Sequence, residues 1–181
     1  MKKERNWQIH YKATDDLIAQ AVELDAMAYE GDDVGQVEKC KQWLEVNDQL
    51  YTFLTLNDKL IGYINFMPIT DECYAKIKTG KYKDFQLQMD EITKFVSGKE
   101  HKCLFVSVVV RQEFRDGIAV QRLWNGFKSK LEILKSKGVI ITDVITDCVT
   151  DIGEKCAINY LNGKFICLSG NGKIYEGYIN I

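Results

Sequence analysis

Apolar positions recur along this chain with two different periods, and the switches between them mark out its elements. After Thr14, Asp15 and Asp16, which supply a helix start, Leu17, Ala21, Leu24 and Ala28 return at helical spacing. This helix is expected to end near Tyr29 to Gly31. A second follows from about Val34, with Val37, Cys40 and Leu44 on its apolar face and Trp43 beside it. The period then shortens: residues 50–56 and 59–67 are β-branched and aromatic runs split by Asn57-Asp58, a pair suited to a two-residue hairpin turn. Residues 71–100 are polar and read as a surface-lying insertion, with Met89, Ile92 and Val96 predicting a short helix near its end.

The run CLFVSVVV from Cys103 to Val110 has the unbroken apolar character of a central strand buried on both faces. A short turn, RQEFRDG, leads from it into a helix whose stripe is Val120, Leu123, Trp124, Phe127, Leu131 and Leu134, closed by Gly138. Residues 139–148 form another strand, so 103–148 is a strand, crossover helix, strand unit that implies a parallel pair. A helix over about 152–161 and two strands, 165–168 and 173–179, finish the chain. The predicted order is β-α-α-β-β-insert-β-α-β-α-β-β. Pro68 is the lone proline and no Gly/Ser-rich linker interrupts the 181 residues, so residues 1–181 read as one domain without repeats.

Composition narrows the function classes. With 24 basic and 26 acidic side chains and a net charge of −2, the chain carries no bulk cationic field for nucleic acid or membrane surfaces. Six scattered cysteines, without CxxC or paired metal-ligand spacing, fit reduced thiols in a cytoplasmic protein and imply no metal. The N-terminal stretch lacks an apolar signal region, and no run approaches membrane-spanning length. His10 and His101 have no nucleophile signature around them, and no GxxxxGK[ST] loop is present. The three tryptophans lack interleaved basic clusters and fit packing roles.

Candidate chemistry concentrates in residues 108–119, VVVRQEFRDGIA. Gly117 allows a ligand to approach the backbone closely, the unpaired amides of the following helix turn favour a phosphate, and Arg115 can add a charge-assisted contact. The same features also occur at purely structural strand-to-helix turns.

The element order and the V-x3-F-R-x-G-I-A-x3-L run over residues 110–123 resemble the GNAT superfamily of N-acetyltransferases. The resemblance implies an α/β (α+β) fold: a mixed, mostly antiparallel central sheet with one splayed parallel strand pair and helices on both faces. It further implies acetyl-CoA as cofactor, with Val108, Val109 and Val110 along the pantetheine arm and Arg115, Asp116, Gly117, Ile118 and Ala119 around the pyrophosphate. A backbone N–H near Val108 or Val109 would stabilise the oxyanion, and Tyr160 would be the general acid toward the departing thiolate. The Arg115 to Gly117 spacing is one residue shorter than the family's pattern, Gly163 sits one residue early before Phe165, and Glu154 stands near the place of an asparagine. The central strand offers Ser107 where many relatives carry a glutamate base. An aromatic packed on a helix remains the alternative for Tyr160.

The expected activity is acetyl transfer to a primary amine, on a small molecule or on a protein or peptide. A non-catalytic acetyl-CoA sensor or docking module is the alternative. Neither the acceptor nor the oligomeric state is written in the sequence, and a homodimer is compatible with it.

Overall fold

The computed structural model describes residues 6–115 and 117–180. Its elements are β1 (Trp7–His10), α1 (Asp15–Asp25), α2 (Val37–Val46), β2 (Tyr51–Leu56), β3 (Lys59–Ile69), α3 (Asp71–Lys78), β4 (Glu100–Val110), α4 (Ile118–Ser136), β5 (Ile140–Cys148), α5 (Asp151–Leu161), β6 (Lys164–Ser169) and β7 (Gly172–Gly177). This is the order the sequence predicts. The strands follow one another in the sheet as β1-β2-β3-β4-β5-β7-β6. β4 and β5 are parallel, whereas β1-β2, β2-β3, β5-β7 and β6-β7 are antiparallel. No helix among the described residues is long and apolar enough to cross a membrane. The chain forms two compact units, Met1–Asn65 with Val108–Lys130 and Phe66–Ser107 with Leu131–Ile181. Their boundaries fall inside β3, β4 and α4 rather than at a linker, so composition gave no hint of them.

In the first unit the Thr14 hydroxyl caps α1 by accepting the Leu17 N–H at 3.2 Å. Asn57 and Asp58 both take positive φ, 49° and 64°, closing the expected hairpin in the twist that suits paired strands. Helices lie on both faces of this part of the sheet. Tyr63 on β3 donates to the Asp25 carboxylate of α1, and Tyr63 pairs with Phe53. The next residue of β2, Leu54, points to the opposite face; it pairs with Ile9, against which α4 packs at Gly126. A Cβ on Gly126 would come within 2.6 Å of Ile9 Cδ1, so any larger residue there would push the Ile9 side chain aside.

The second unit repeats the two-faced arrangement. On β7, Lys173 and Tyr175 meet Glu154 of α5 at 2.7 and 2.8 Å. Glu176, pointing to the other side, takes the Tyr74 hydroxyl and Lys78 of α3, each at 2.8 Å. Residues 71–100 are thus not simply a surface-lying insertion, because Cys73, Tyr74, Ile77, Leu87 and Ile92 are buried. The α-helix of this segment is α3, capped by Thr70 through the Cys73 N–H at 3.1 Å; the short helix expected from Met89, Ile92 and Val96 is a single 3₁₀ turn, Met89–Glu91, that does not reach Val96. Lys83 fastens the segment to β5 through Asp147 at 2.7 Å.

One buried cation of the first unit makes stability depend on pH. Lys130 of α4 donates to the carbonyls of Gln49 and of Tyr51, the latter at 3.0 Å, and burial pushes its pKa down to about 7. Unfolded, the same amine titrates near ~10.4, so between pH 7 and that value the unfolded chain holds more protons and stability rises with pH. Below pH 7 both states are protonated and the contribution is flat. In chemical unfolding from pH 7 to 9, the wild-type chain is expected to gain up to about 1.4 kcal/mol per pH unit relative to Lys130→Met. Parallel pH profiles for the two proteins would refute this.

Candidate functional site

The parallel ladder runs from Glu100 opposite Ile140 to Leu104 opposite Ile145 and stops. Beyond it Thr146, Asp147 and Cys148 of β5 pair with Tyr175, Ile174 and Lys173 of β7, while β4 continues to Val110. Cys103, Leu104 and Phe105 are buried, as a doubly covered strand requires, and so are Val109 and Val110. Between them Val106, Ser107 and Val108 are half-exposed, so the expectation of burial on both faces fails at the middle of the strand. The failure begins where the ladder ends.

In the first unit β4 passes into the turn through Arg111 and a 3₁₀ turn, Gln112–Phe114. Phe114 sits edge-on to Trp7 with ring centroids 6.0 Å apart, and Arg122 of α4 stacks over the same indole at 5.7 Å. Arg115 is exposed, and its Nε donates back to the Val110 carbonyl at 3.0 Å. Gly117 has φ 129°, a conformation that side chains disfavour, and nothing lies within 4 Å of where its Cβ would be. The glycine is therefore required by the backbone, and the space beside it is open. Among the described residues the Gln121 N–H donates to the Gly117 carbonyl at 3.3 Å as α4 opens, and the first-turn amides of an α-helix have no partner within the helix itself. No acidic residue stands in that turn. Ile118 is exposed and Ala119 buried. Asp116 lies outside the described residues.

Such a turn can hold an anion, because first-turn amides and the positive end of a helix dipole stand beside open space at Gly117. The structure brings Val108, Val109, Val110, Arg115, Gly117, Ile118 and Ala119 into one continuous strand, turn and helix within the first unit.

Tyr160 belongs to the second unit, in the last turn of α5, with 38% of its surface exposed. Asn162 follows in the left-handed conformation, φ 50°, and ends the helix. Gly163 closes on Ala157, its N–H donating to that carbonyl at 2.9 Å. A Cβ on Gly163 would stand 2.9 Å from the same oxygen, which accounts for glycine at this place, one residue before Lys164 opens β6. Glu154 is committed within the unit. The hydrogen bonds from Lys173 and Tyr175 hold its carboxyl below the usual carboxylate range.

No family model and no curated protein matches the chain. Solved structures do. The loading GNATL domain of CurA from Lyngbya majuscula covers 96% of this chain and 98% of its own at TM-score 0.66 and 12% identity. An N-acetyltransferase from Staphylococcus aureus Mu50 covers 97% and 99% at TM-score 0.56 and 13% identity. This chain has the GNAT fold. A further GNAT structure, the GphF GNAT-like decarboxylase in complex with isobutyryl-CoA, aligns over 96% of this chain and 100% of its own, with TM-score 0.61 and 11% identity.

Within this GNAT fold, sequence reasoning passed over Arg111, Gln20 and Gly62, which meet around Leu60 and the end of β4. A glycine inside an otherwise bulky strand run was a usable signal of close backbone approach. The partners of Arg111 and Gln20 lie too far away in sequence to be read. Among the described residues no group of three His, Cys, Asp or Glu side chains is placed to hold a metal.

Because Gly117 sits at φ 129°, Gly117→Ala is expected to cost about 1–3 kcal/mol of stability although the added methyl meets no neighbour. Urea unfolding checks it, and an unchanged midpoint would show the turn relaxing to another conformation.

Proposed function

We propose that this chain transfers an acetyl group from acetyl-CoA to a primary amine, on a small molecule or on a protein or peptide. The observation that carries the reading is the half-open stretch Val106 to Val108 of a central strand, leading into the Gly117 turn and the opening turn of α4. In this reading the pantetheine arm lies along the backbone of Val108, Val109 and Val110. The pyrophosphate sits at Arg115, Gly117, Ile118 and Ala119, with Asp116 carried over from the resemblance.

The amine nitrogen attacks the thioester carbon, a C–N bond forms, and the C–S bond breaks. A backbone N–H at Val108 or Val109 stabilises the oxyanion, a preorganised donor where charge develops. The amine gives up its proton through water, since the open part of the strand carries no carboxylate, only Ser107. Tyr160 protonates the departing thiolate, a transfer for which a phenol suits better than an acid already ionised at neutral pH. The likeness to structures named as acetyltransferases, and to one named as holding isobutyryl-CoA, supports an acyl-CoA ligand.

The missing strand carboxylate also favours a second reading, a non-catalytic acetyl-CoA sensor or docking module. Both readings require that acetyl-CoA raise the melting temperature, by about 2.7 kcal/mol of linkage at a hundredfold excess over Kd. A flat thermal shift at millimolar acetyl-CoA would reject both. Release of coenzyme A dependent on a member of an amine panel separates them in favour of the enzyme.

For the enzyme, Tyr160→Phe keeps the ring and removes the proton donor. Its kcat is expected to fall roughly 10²-fold with KM for acetyl-CoA and melting temperature little changed. A variant that retains half of wild-type kcat where chemistry limits the rate would reduce Tyr160 to a packing residue.

A further inference from the structure

The pairing of β2 with β3 slips near its hairpin end: Leu54 faces Gly62 and Thr55 faces Leu60, so Ile61 is an extra residue on β3. The extra residue of such a bulge has no partner across the pair. The backbone groups of Leu60 and Ile61 are taken up by residues distant in sequence. Gln20 Oε1 of α1 accepts the Leu60 N–H at 2.9 Å, and Arg111 Nε donates to the Leu60 carbonyl at 2.7 Å. The backbone N–H of Arg111 donates to the Ile61 carbonyl at 2.8 Å. Beside them Gly62 admits β4: a Cβ there would stand 2.6 Å from the Val109 carbonyl oxygen and 3.0 Å from Val110 Cγ2. The Val110 carbonyl in turn accepts Arg115 Nε at 3.0 Å. The stretch from Val109 to Arg115 is thereby tied at successive points, and all but the last anchor on the bulge and Gly62.

We propose that the β3 bulge is the seat of the turn that opens α4, and that Arg111 is a positioning residue for cofactor binding that acts through Leu60. Its Nε is turned to a protein carbonyl, and its main chain starts the turn, so its removal shifts the anion-binding amides rather than deleting a contact to the ligand. Gln20 holds the same residue from its preceding peptide, accepting the Leu60 N–H while the Leu60 carbonyl, in the next peptide, accepts from Arg111. The inference rests on the acyl-CoA reading above and assigns within it a device that the motif does not contain.

The test compares acetyl-CoA with acetyl-pantetheine, which shares the thioester arm and lacks the pyrophosphate and nucleotide, by titration of wild type, Arg111→Met and Gln20→Met. Arg111→Met and Gln20→Met are both expected to weaken acetyl-CoA about ten-fold while shifting acetyl-pantetheine less than two-fold. Should Arg111→Met fail to fold, Gln20→Met carries the comparison by itself. Wild-type chain that binds neither ligand defeats the acyl-CoA reading and the proposal with it. Wild type that binds acetyl-CoA beside variants of unchanged affinity overturns only the positioning role. Equal losses for both ligands would mean a general loosening of β4, and a loss in Arg111→Met without one in Gln20→Met would mean that the guanidinium touches phosphate. Either result overturns the proposal.

Discussion

Parallel pairing between β4 and β5 ends at Leu104 and Ile145, although β5 goes on pairing with β7 along its other edge as far as Cys148. A backbone that loses a ladder must find other partners for its N–H and C=O groups, in water, in side chains or in a ligand. Along its other edge β4 is held near its end by β3, through the Ile61 bulge and the bare face of Gly62, and Arg111 and Arg115 each spend a guanidinium N–H on a main-chain carbonyl. The stretch Val106 to Val108 is left half-open between these two fastenings.

Polar side chains inside the fold are used as fasteners, each at some electrostatic cost. Asp25, buried at the end of α1, accepts from Tyr63 and from the Gly35 N–H at 3.1 Å, and burial nonetheless pushes its pKa up to about 6. Lys83 and Asp147 are mostly covered, and the lysine also reaches the Ser169 carbonyl at 2.6 Å. Pairs of this sort add little net stability against a well-packed apolar alternative, but removing one partner strands the other. Their value here is definition: Asp25 fixes the connection between α1 and α2, and Lys83 fixes a polar segment that propensity would leave loose.

Local chemistry was legible and distant chemistry was not. Thr14, Asn57-Asp58 and Gly138 could be read directly, because caps and tight turns depend on neighbours in the chain; Gly138 indeed takes φ 82° where α4 ends. The strand, turn and helix around Gly117 were also readable, since a glycine between a strand and a helix narrows the backbone choices. The helix at α3 was missed although Thr70, Asp71 and Glu72 form a fair start, because the polar average of residues 71–100 hid the buried positions Cys73, Tyr74 and Ile77. Lys130 looked like any surface lysine on a helix, and only the carbonyls of Gln49 and Tyr51 make it an interior one. The Ile61 bulge has no sequence mark of its own, and its users, Gln20 and Arg111, sit on α1 and at the end of β4.

The two compact units interleave along the chain: Met1–Asn65 must wait for Val108–Lys130, and Phe66–Ser107 for Leu131–Ile181. During synthesis, at about 5–20 residues per second, the first unit therefore stays incomplete until α4 has emerged, and the second until its closing hairpin is made. Long-range closure of this kind slows folding and leaves unpaired strands exposed meanwhile. No single cleavage point divides the chain into two self-sufficient fragments. A gene truncated after any element before β7 would encode a product in which at least one unit is incomplete, and such fragments are expected to be substrates for chaperones and proteases rather than miniature versions of the protein.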